Sequence, residues 1–226
     1  MKCERFSVSG WTGCSSPERS VVGAEPIDNL GLVRVISGSA KGRRLIGPET
    51  RDTRPLTDRA REGVFSALAG AVRDAEVLDL YAGSGSIGIE ALSRGARRVV
   101  FVEKGREALQ ALRANLAALG FGNVTVVGQD VAEFLRTAKG RFDLIFFDPP
   151  WELSTDHLAL LMTQADHVAG ENAELIVHRR RTDPVPDPPA GWHWLTTRRY
   201  GDGVIHRYEK SSAQPLDDQE DSEGNE

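Results

Sequence analysis

The sequence predicts a doubly wound α/β domain: a mostly parallel sheet with helices on both faces, extended at its N-terminal side by a small β-hairpin and a helix. Three observations point there. From residue 76 onward, short apolar runs alternate with stretches of helical periodicity. The runs are apolar on both faces, as strands buried between two helical layers must be. The first run, EVLDL, opens into the turn YAGSGSIG before a helical stretch, a G-x-G-x-x-G pattern where such folds hold nucleotides.

Each element follows in order. Residues 1–31 are rich in Gly, Ser and Pro, lack apolar periodicity and read as a disordered extension. VRVISGSAKGRRLIG gives two short strands around a Ser/Gly-rich turn. In RPLTDRAREGVFSAL, Thr57 is an N-cap for a helix with Ala60, Val64, Phe65 and Leu68 at helical spacing. This hairpin and helix make up 32–70, and the core occupies 71–210. There EVLDLYAG is a strand entering the glycine turn, and SIGIEALSRG is a helix ending at Gly95. RRVVFVE is a strand, and a helix follows over 106–119 with Gly120 as its C-cap. NVTVVGQD is a strand and VAEFLRTAK a short helix, before the apolar strand FDLIFFDPPW. A helix over 155–168 and the strand AELIVH come next. WHWLTTRRY and VIHRYEK close the sheet as an antiparallel pair, for seven strands in all. The tail, 211–226, holds six acidic residues and no basic one, and reads as disordered.

Composition bounds the function. A chain of 226 residues, 40% of them hydrophobic, can bury one ordinary core. Both cysteines, Cys3 and Cys14, precede the folded part, so it has no disulfide framework, in keeping with a reducing cytoplasm. No apolar run approaches the roughly 18 residues of a membrane span, and residues 1–30 lack the apolar region of a signal peptide. A cytoplasmic protein is expected.

The net charge of −5 hides an uneven distribution. Without the tail, 28 basic residues face 27 acidic ones. Residues 32–64 carry eight basic residues (Arg34, Lys41, Arg43, Arg44, Arg51, Arg54, Arg59 and Arg61) against four acidic. Such a patch is compatible with phosphate binding or with a solvated surface, and charge alone does not separate the two. The histidines (His157, His167, His178, His193 and His206) show no ligand spacing, so no metal is expected. His178-Arg179-Arg180-Arg181 reads as a solvated strand edge. Trp192 and Trp194 alternate on one strand and are expected to pack on one face.

The chemistry lies at four successive strand ends. The first carries Asp79, Tyr81 and the turn Ala82-Gly83-Ser84-Gly85; the second ends in Glu103; the third in Asp130; the fourth in Asp148-Pro149-Pro150-Trp151. An acid at a strand end is often only an N-cap. Four polar ends in order on one rim mark a site, because open α/β sheets bind ligands at the carboxyl ends of their strands. Gly83 and Gly85 let the backbone approach a ligand. Glu103 is placed to accept from ribose hydroxyls, and Asp130 from an adenine amine. To this point NAD and S-adenosylmethionine fit alike. D-P-P-W separates them. Two prolines remove two N–H donors and leave carbonyls, Asp148 adds a carboxylate, and Trp151 supplies a flat face. A site of acceptors beside an aromatic suits the exocyclic amine of a nucleobase and has no use in hydride transfer. The cofactor it implies is S-adenosylmethionine.

At these residues the sequence also carries a resemblance. D-P-P-W is similar to the Asp/Asn-Pro-Pro-aromatic signature of amino-methyltransferases. VRVISGSAKGRRL, TRPLTDRAREGVFSAL, VLDLYAGSGSIGIEALSRGA, VVFVEK and LIFFDPPW together resemble the bacterial RsmD family over residues 33–208, most specifically from Arg54-Pro55 through Phe65. The resemblance implies a Rossmann-like class I S-adenosylmethionine-dependent methyltransferase that modifies the 2-amino group of a guanine in small-subunit (16S) ribosomal RNA. It implies that Asp79, Tyr81, Gly83, Gly85, Glu103 and Asp130 bind the cofactor, and that Asp148, Pro149 and Trp151 hold the guanine. Arg43, Arg54, Thr57 and Arg59 would lie near the RNA or the closed active site. The chain departs from the family at Trp151, where Tyr is usual, at Leu56 within R-P-T-T, and at Ser66, where Asn is usual. The implied partner is ribosomal RNA, within the small subunit or an assembly intermediate, with the protein as a monomer. An alternative keeps the chemistry and changes the substrate: a DNA amino-methyltransferase acting on adenine or cytosine. A third reading is an RNA-binding or assembly protein without activity, against which the intact Asp148 and glycine turn stand.

Overall fold

The structure, a computed structural model, describes residues 33–47 and 56–212. The segments expected to be disordered lie outside these residues, apart from Ser211 and Ser212, and so does Arg54. Two-residue strands β1 (Val33–Arg34) and β2 (Arg44–Leu45) pair antiparallel as the expected hairpin. Helix α1 (Asp58–Leu68) starts at Thr57, whose Oγ1 accepts from the Ala60 amide at 3.2 Å.

The core alternates as the sequence predicts: β3 (Glu76–Leu80), α2 (Ser86–Ser93), β4 (Arg98–Val102), α3 (Arg106–Leu119), β5 (Val124–Val127), α4 (Val131–Thr137), β6 (Phe142–Phe147), α5 (Thr155–Ala165), β7 (Ala169–Arg180), β8 (Trp192–Tyr200) and β9 (Gly203–Lys210). Helix α3 ends at Gly120 in the left-handed region, φ +72°, as its C-cap requires. The seven strands lie in the order β5-β4-β3-β6-β7-β9-β8. Contacts among β5, β4, β3, β6 and β7 are parallel, and β9 pairs antiparallel with both β7 and β8. The chain runs outward from β3 through β4 to β5, then returns to place β6 on the other side of β3. That reversal makes a switch point at the carboxyl ends of β3 and β6.

Strand alternation sorts the core into two layers. Val77, Phe101, Phe146 and Ile176 face α1, α2 and α3, while Leu78, Val102, Phe147 and Val177 face α4 and α5. No helix among the described residues is long and apolar enough to cross a membrane.

The hairpin is anchored to the core by buried polar groups. The fully buried Glu90 carboxylate on α2 accepts from the Ile36 amide at 2.7 Å, the Ser37 amide at 3.1 Å and Arg94 Nε at 2.6 Å. Ser93 accepts from the Ala40 amide through Oγ and from the Ser39 amide through its carbonyl. Gly38 passes so close that a Cβ there would lie 1.7 Å from Ser93 O. Asn115 of α3 brackets Ile46, accepting from its amide and donating to its carbonyl, and donates to Ser84 O in the glycine turn as well.

Three expectations are corrected. Arg61 does not belong to an accessible basic patch with the other described basic residues of 32–64: it is fully buried, donating to Asp58 and to Arg34 O. Trp192 packs in the core with Nε1 donating to Asp166, but Trp194, on the outer strand of the sheet, stays 55% exposed. The strand AELIVH extends to the twelve residues of β7, with a register shift against β6 and Asn172 at φ +58°. Glu90→Ala would leave two half-buried backbone amides without an acceptor and Arg94 without its partner. It is expected to lower unfolding stability by about 3–5 kcal/mol in urea titration.

Candidate active site

Register decides which side chains meet at the switch point. Asp79 lies opposite Phe146, and Phe146 opposite Ile176. Two residues further along the same face come Asp148 and His178, so the ends of β3, β6 and β7 present Asp79, Asp148 and His178 toward one side. The Asp148 amide donates to Leu80 O at 3.4 Å, which continues the β3–β6 pairing past its last registered pair.

Asp79 stands behind the glycine turn. It is fully buried, and its Oδ2 accepts from the Gly88 amide of α2 at 2.9 Å, while Oδ1 has no partner. Burial pushes its carboxyl up to about 8, the Gly88 amide opposes the shift, and the Asp148 and Glu103 carboxylates add to it. Tyr81, the first residue of the turn, adopts φ +62°, a strained conformation for a side chain of its size. Burial, with Asp130 and Glu103 nearby, raises its hydroxyl to about 12.

The glycines divide their work. Gly83 has φ +56° and open space where a Cβ would be. Gly85 has φ +89°, and a Cβ there would lie 2.4 Å from Leu112, so its bareness serves packing of the turn on α3. Gly88 likewise lets α2 lie on Phe101, 2.3 Å from its would-be Cβ.

Glu103 acts as a clasp. Its Oε2 accepts from the Gly83 amide at 2.8 Å, and its Oε1 from the Lys104 and Gly105 amides at 2.9 and 2.7 Å. Asp130 caps α4 through Oδ1 and pairs with Lys104 through Oδ2 at 3.0 Å. The Lys104 hydrogen bond holds its carboxyl below the usual range. A carboxylate offers about four acceptor sites, so each of these groups keeps capacity for a ligand hydroxyl or amine.

Asp148 Oδ1 is held by His178 Nδ1 at 2.7 Å, and among the described residues Oδ2 has no partner. The Pro150 carbonyl accepts from Leu153 N, closing the turn, while nothing among the described residues donates to the Pro149 carbonyl. The Arg180 guanidinium lies 4.6 Å from the centroid of the Trp151 ring. Buried Arg179 donates to Leu153 O and pairs with Asp183, bracing the same loop from the opposite face. The solvated edge expected at 178–181 is therefore corrected: His178 and Arg179 are buried, since β9 covers β7 on that side. Sequence reasoning missed His178 and Arg180 as site residues. The available signal was that AELIVH ends in a polar residue like the four strand ends before it.

The expected RNA-contacting residues separate. Thr57 and exposed Arg59 line a cleft of about 340 Å³ together with Arg199, Tyr200 and Gly201, the last three unanticipated. Arg43 is not in that cleft; it donates to Ala118 O near the end of α3.

A seven-stranded sheet of this order, with its glycine turn and acidic strand ends, defines the Rossmann-like fold of class I S-adenosylmethionine-dependent methyltransferases. Among solved structures of that fold, the magnesium protoporphyrin IX methyltransferase from Synechocystis PCC 6803 is 19% identical and superposes with a TM-score of 0.55 over 68% of this chain and 79% of that one. The family model described as "Conserved hypothetical protein 95" matches residues 33–209, and the chain belongs to that family, the RsmD family. It is 33% identical to the Ribosomal RNA small subunit methyltransferase D of Escherichia coli (strain K12), over 80% of this chain and 92% of that protein. The structure of a putative methyltransferase yhhF from Escherichia coli is 32% identical, with a TM-score of 0.72 over 80% of this chain and 99% of that one.

The raised carboxyl of Asp79 makes a prediction about stability. The folded state holds a proton that the unfolded chain releases at the ordinary carboxyl value. Stability from this group is therefore fully present below about pH 4 and is lost as pH rises to about 8. Without ligand, the protein should lose on the order of 2–5 kcal/mol across that window. Asp79→Asn should flatten this component in denaturation series at pH 5, 7 and 9.

Proposed function

We propose that this chain transfers a methyl group from S-adenosylmethionine to the exocyclic 2-amino group of a guanine in small-subunit ribosomal RNA. The observation that carries the reading is the Asp148 carboxylate beside the bare Pro149 carbonyl, at the end of β6 and next to the glycine turn of β3. The residues of the turn fit the cofactor by chemistry. Glu103 suits the ribose hydroxyls, Asp130 the adenine amine, and the open backbone at Gly83 with Tyr81 the methionine portion, while Asp79 supports the turn from behind. When bound, S-adenosylmethionine supplies an electrophilic methyl that passes to the amine nitrogen, leaving as the neutral thioether S-adenosylhomocysteine while the nitrogen sheds one proton.

The chain's own part is positioning. Asp148 Oδ2 and the Pro149 carbonyl accept the two amine hydrogens, which draws the nitrogen lone pair out of conjugation and aims it. The carboxylate also receives the proton as the nitrogen becomes cationic. Trp151 offers the face opposite Arg180 for stacking the base. Because the base must leave its stack to enter, the substrate is a guanine in a loop, an end or an assembled RNA surface. The cleft of Thr57, Arg59 and Arg199 suits backbone phosphates nearby.

The test is transfer of labelled methyl to small ribosomal subunits from cells lacking this gene, to naked ribosomal RNA, and to duplex DNA. Recovery of N2-methylguanosine from a ribosomal sample is expected, whereas label in DNA alone would replace the substrate. In the same assay Trp151→Ala should lower kcat/KM by about 5- to 150-fold, the worth of one base stack, with Trp151→Phe retaining most of it.

A further inference from the structure

The hydrogen bond behind Asp148 has a specific consequence. An ionised carboxylate only accepts hydrogen bonds, so at Asp148 Oδ1 the donor is His178 Nδ1, which fixes the ring as the tautomer protonated at Nδ1. The contact is 2.7 Å long between side chains that are only 8% and 21% exposed. The ring is backed by β9 of the same sheet: a Cβ on Gly203 would stand 2.5 Å from His178 Nε2 and 3.3 Å from its Cδ2. Glycine at that position leaves the space the imidazole occupies.

We infer that His178 is a positioning residue for methyl transfer, its Nδ1–H fixing the Asp148 carboxylate so that Oδ2 and the Pro149 carbonyl form the pair that receives the amine. The inference rests on the reading of Asp148 as the amine's acceptor. Asp148 lies just beyond the last residue of β6, and among the described residues His178 is the one hydrogen-bond partner of its carboxylate. A charge-assisted hydrogen bond from a buried, backed ring constrains its orientation. Reactions that depend on aiming a lone pair lose roughly a hundredfold for a displacement near 1 Å, so a carboxylate free to rotate would bind the base and orient it poorly. The role is one of direction, and the imidazole need not change its protonation.

Two measurements decide it. In nitrogen-resolved NMR of the protein without substrate, His178 should show a slowly exchanging proton on Nδ1 that disappears in Asp148→Ala. A ring protonated on Nε2 alone would overturn the contact. In single-turnover and steady-state methylation, three substitutions separate donor from volume and from titration. His178→Asn can place an amide N–H where Nδ1 stands and should keep kcat within about threefold. His178→Gln and His178→Leu fill the space without that donor and should lower kcat by about 10- to 100-fold, with KM for RNA and cofactor affinity within about threefold. Equal loss in all three, or loss in none, would overturn the inference. Failure of the wild type to make N2-methylguanosine would instead count against the substrate, and the NMR result, which needs no substrate, still judges the contact.

Discussion

Parallel pairing of β3 with β4 and β6 is the constraint on which the rest depends. Parallel strands need crossover connections, so each of their carboxyl ends opens on the same rim. Because β6 returns to the free side of β3, the glycine turn and Asp148 become neighbours although about 65 residues separate them in the chain. No local feature of YAGSGSIG or DPPW could bring this about alone. Once the rim exists, hydrogen bonds tie its parts together: Glu103 closes the turn of β3 onto β4, and the Asp148 amide extends β6 along β3.

The rim concentrates negative charge with few cations beside it. Asp79 is buried with one oxygen bare, and both Asp148 and Glu103 raise its proton affinity. Such a cluster weakens the fold as pH rises toward about 8, and it is the surrounding that the sulfonium and amine hydrogens of the proposed reaction would meet. The N-terminal extension is coupled to it. Glu90 and Ser93 fix the hairpin to α2, and Asn115 joins Ile46 at the hairpin's end to Ser84 in the glycine turn. One buried amide side chain thus bonds the hairpin's end and the glycine turn at once.

Elements governed by short-range rules were legible. Helix α3 has its bounds and its Gly120 cap written in periodicity and one glycine, and Thr57 announces α1. The four acidic strand ends followed from alternation together with the rule on where such sheets bind ligands. Features governed by distant partners were not legible. Arg61 counts as surface charge until α1 packs under the hairpin, and Glu90 and Asn115 look like ordinary helix residues until Ile36 and Ile46, 54 and 69 positions away, dock on them. His178 was hidden by its arginine neighbours, because the charge of HRRR suggests solvent while β9 buries its first two residues. Gly85 belongs to the fingerprint, yet only the packing of Leu112 shows that it serves the core.

In the proposed reaction the rim has a methyl-donor half, built around Glu103 and the glycine turn, and an acceptor half, built around Asp148. Calorimetric binding of S-adenosylmethionine alongside single-turnover methyl transfer tests that division most directly, using Glu103→Ala and Asp148→Ala in the full chain. Glu103→Ala should weaken cofactor binding by at least about tenfold, a loss near 1.4 kcal/mol. Asp148→Ala should bind within about threefold of wild type and transfer no measurable methyl. Normal transfer by Asp148→Ala, or a cofactor affinity reduced as far as in Glu103→Ala, would contradict the account.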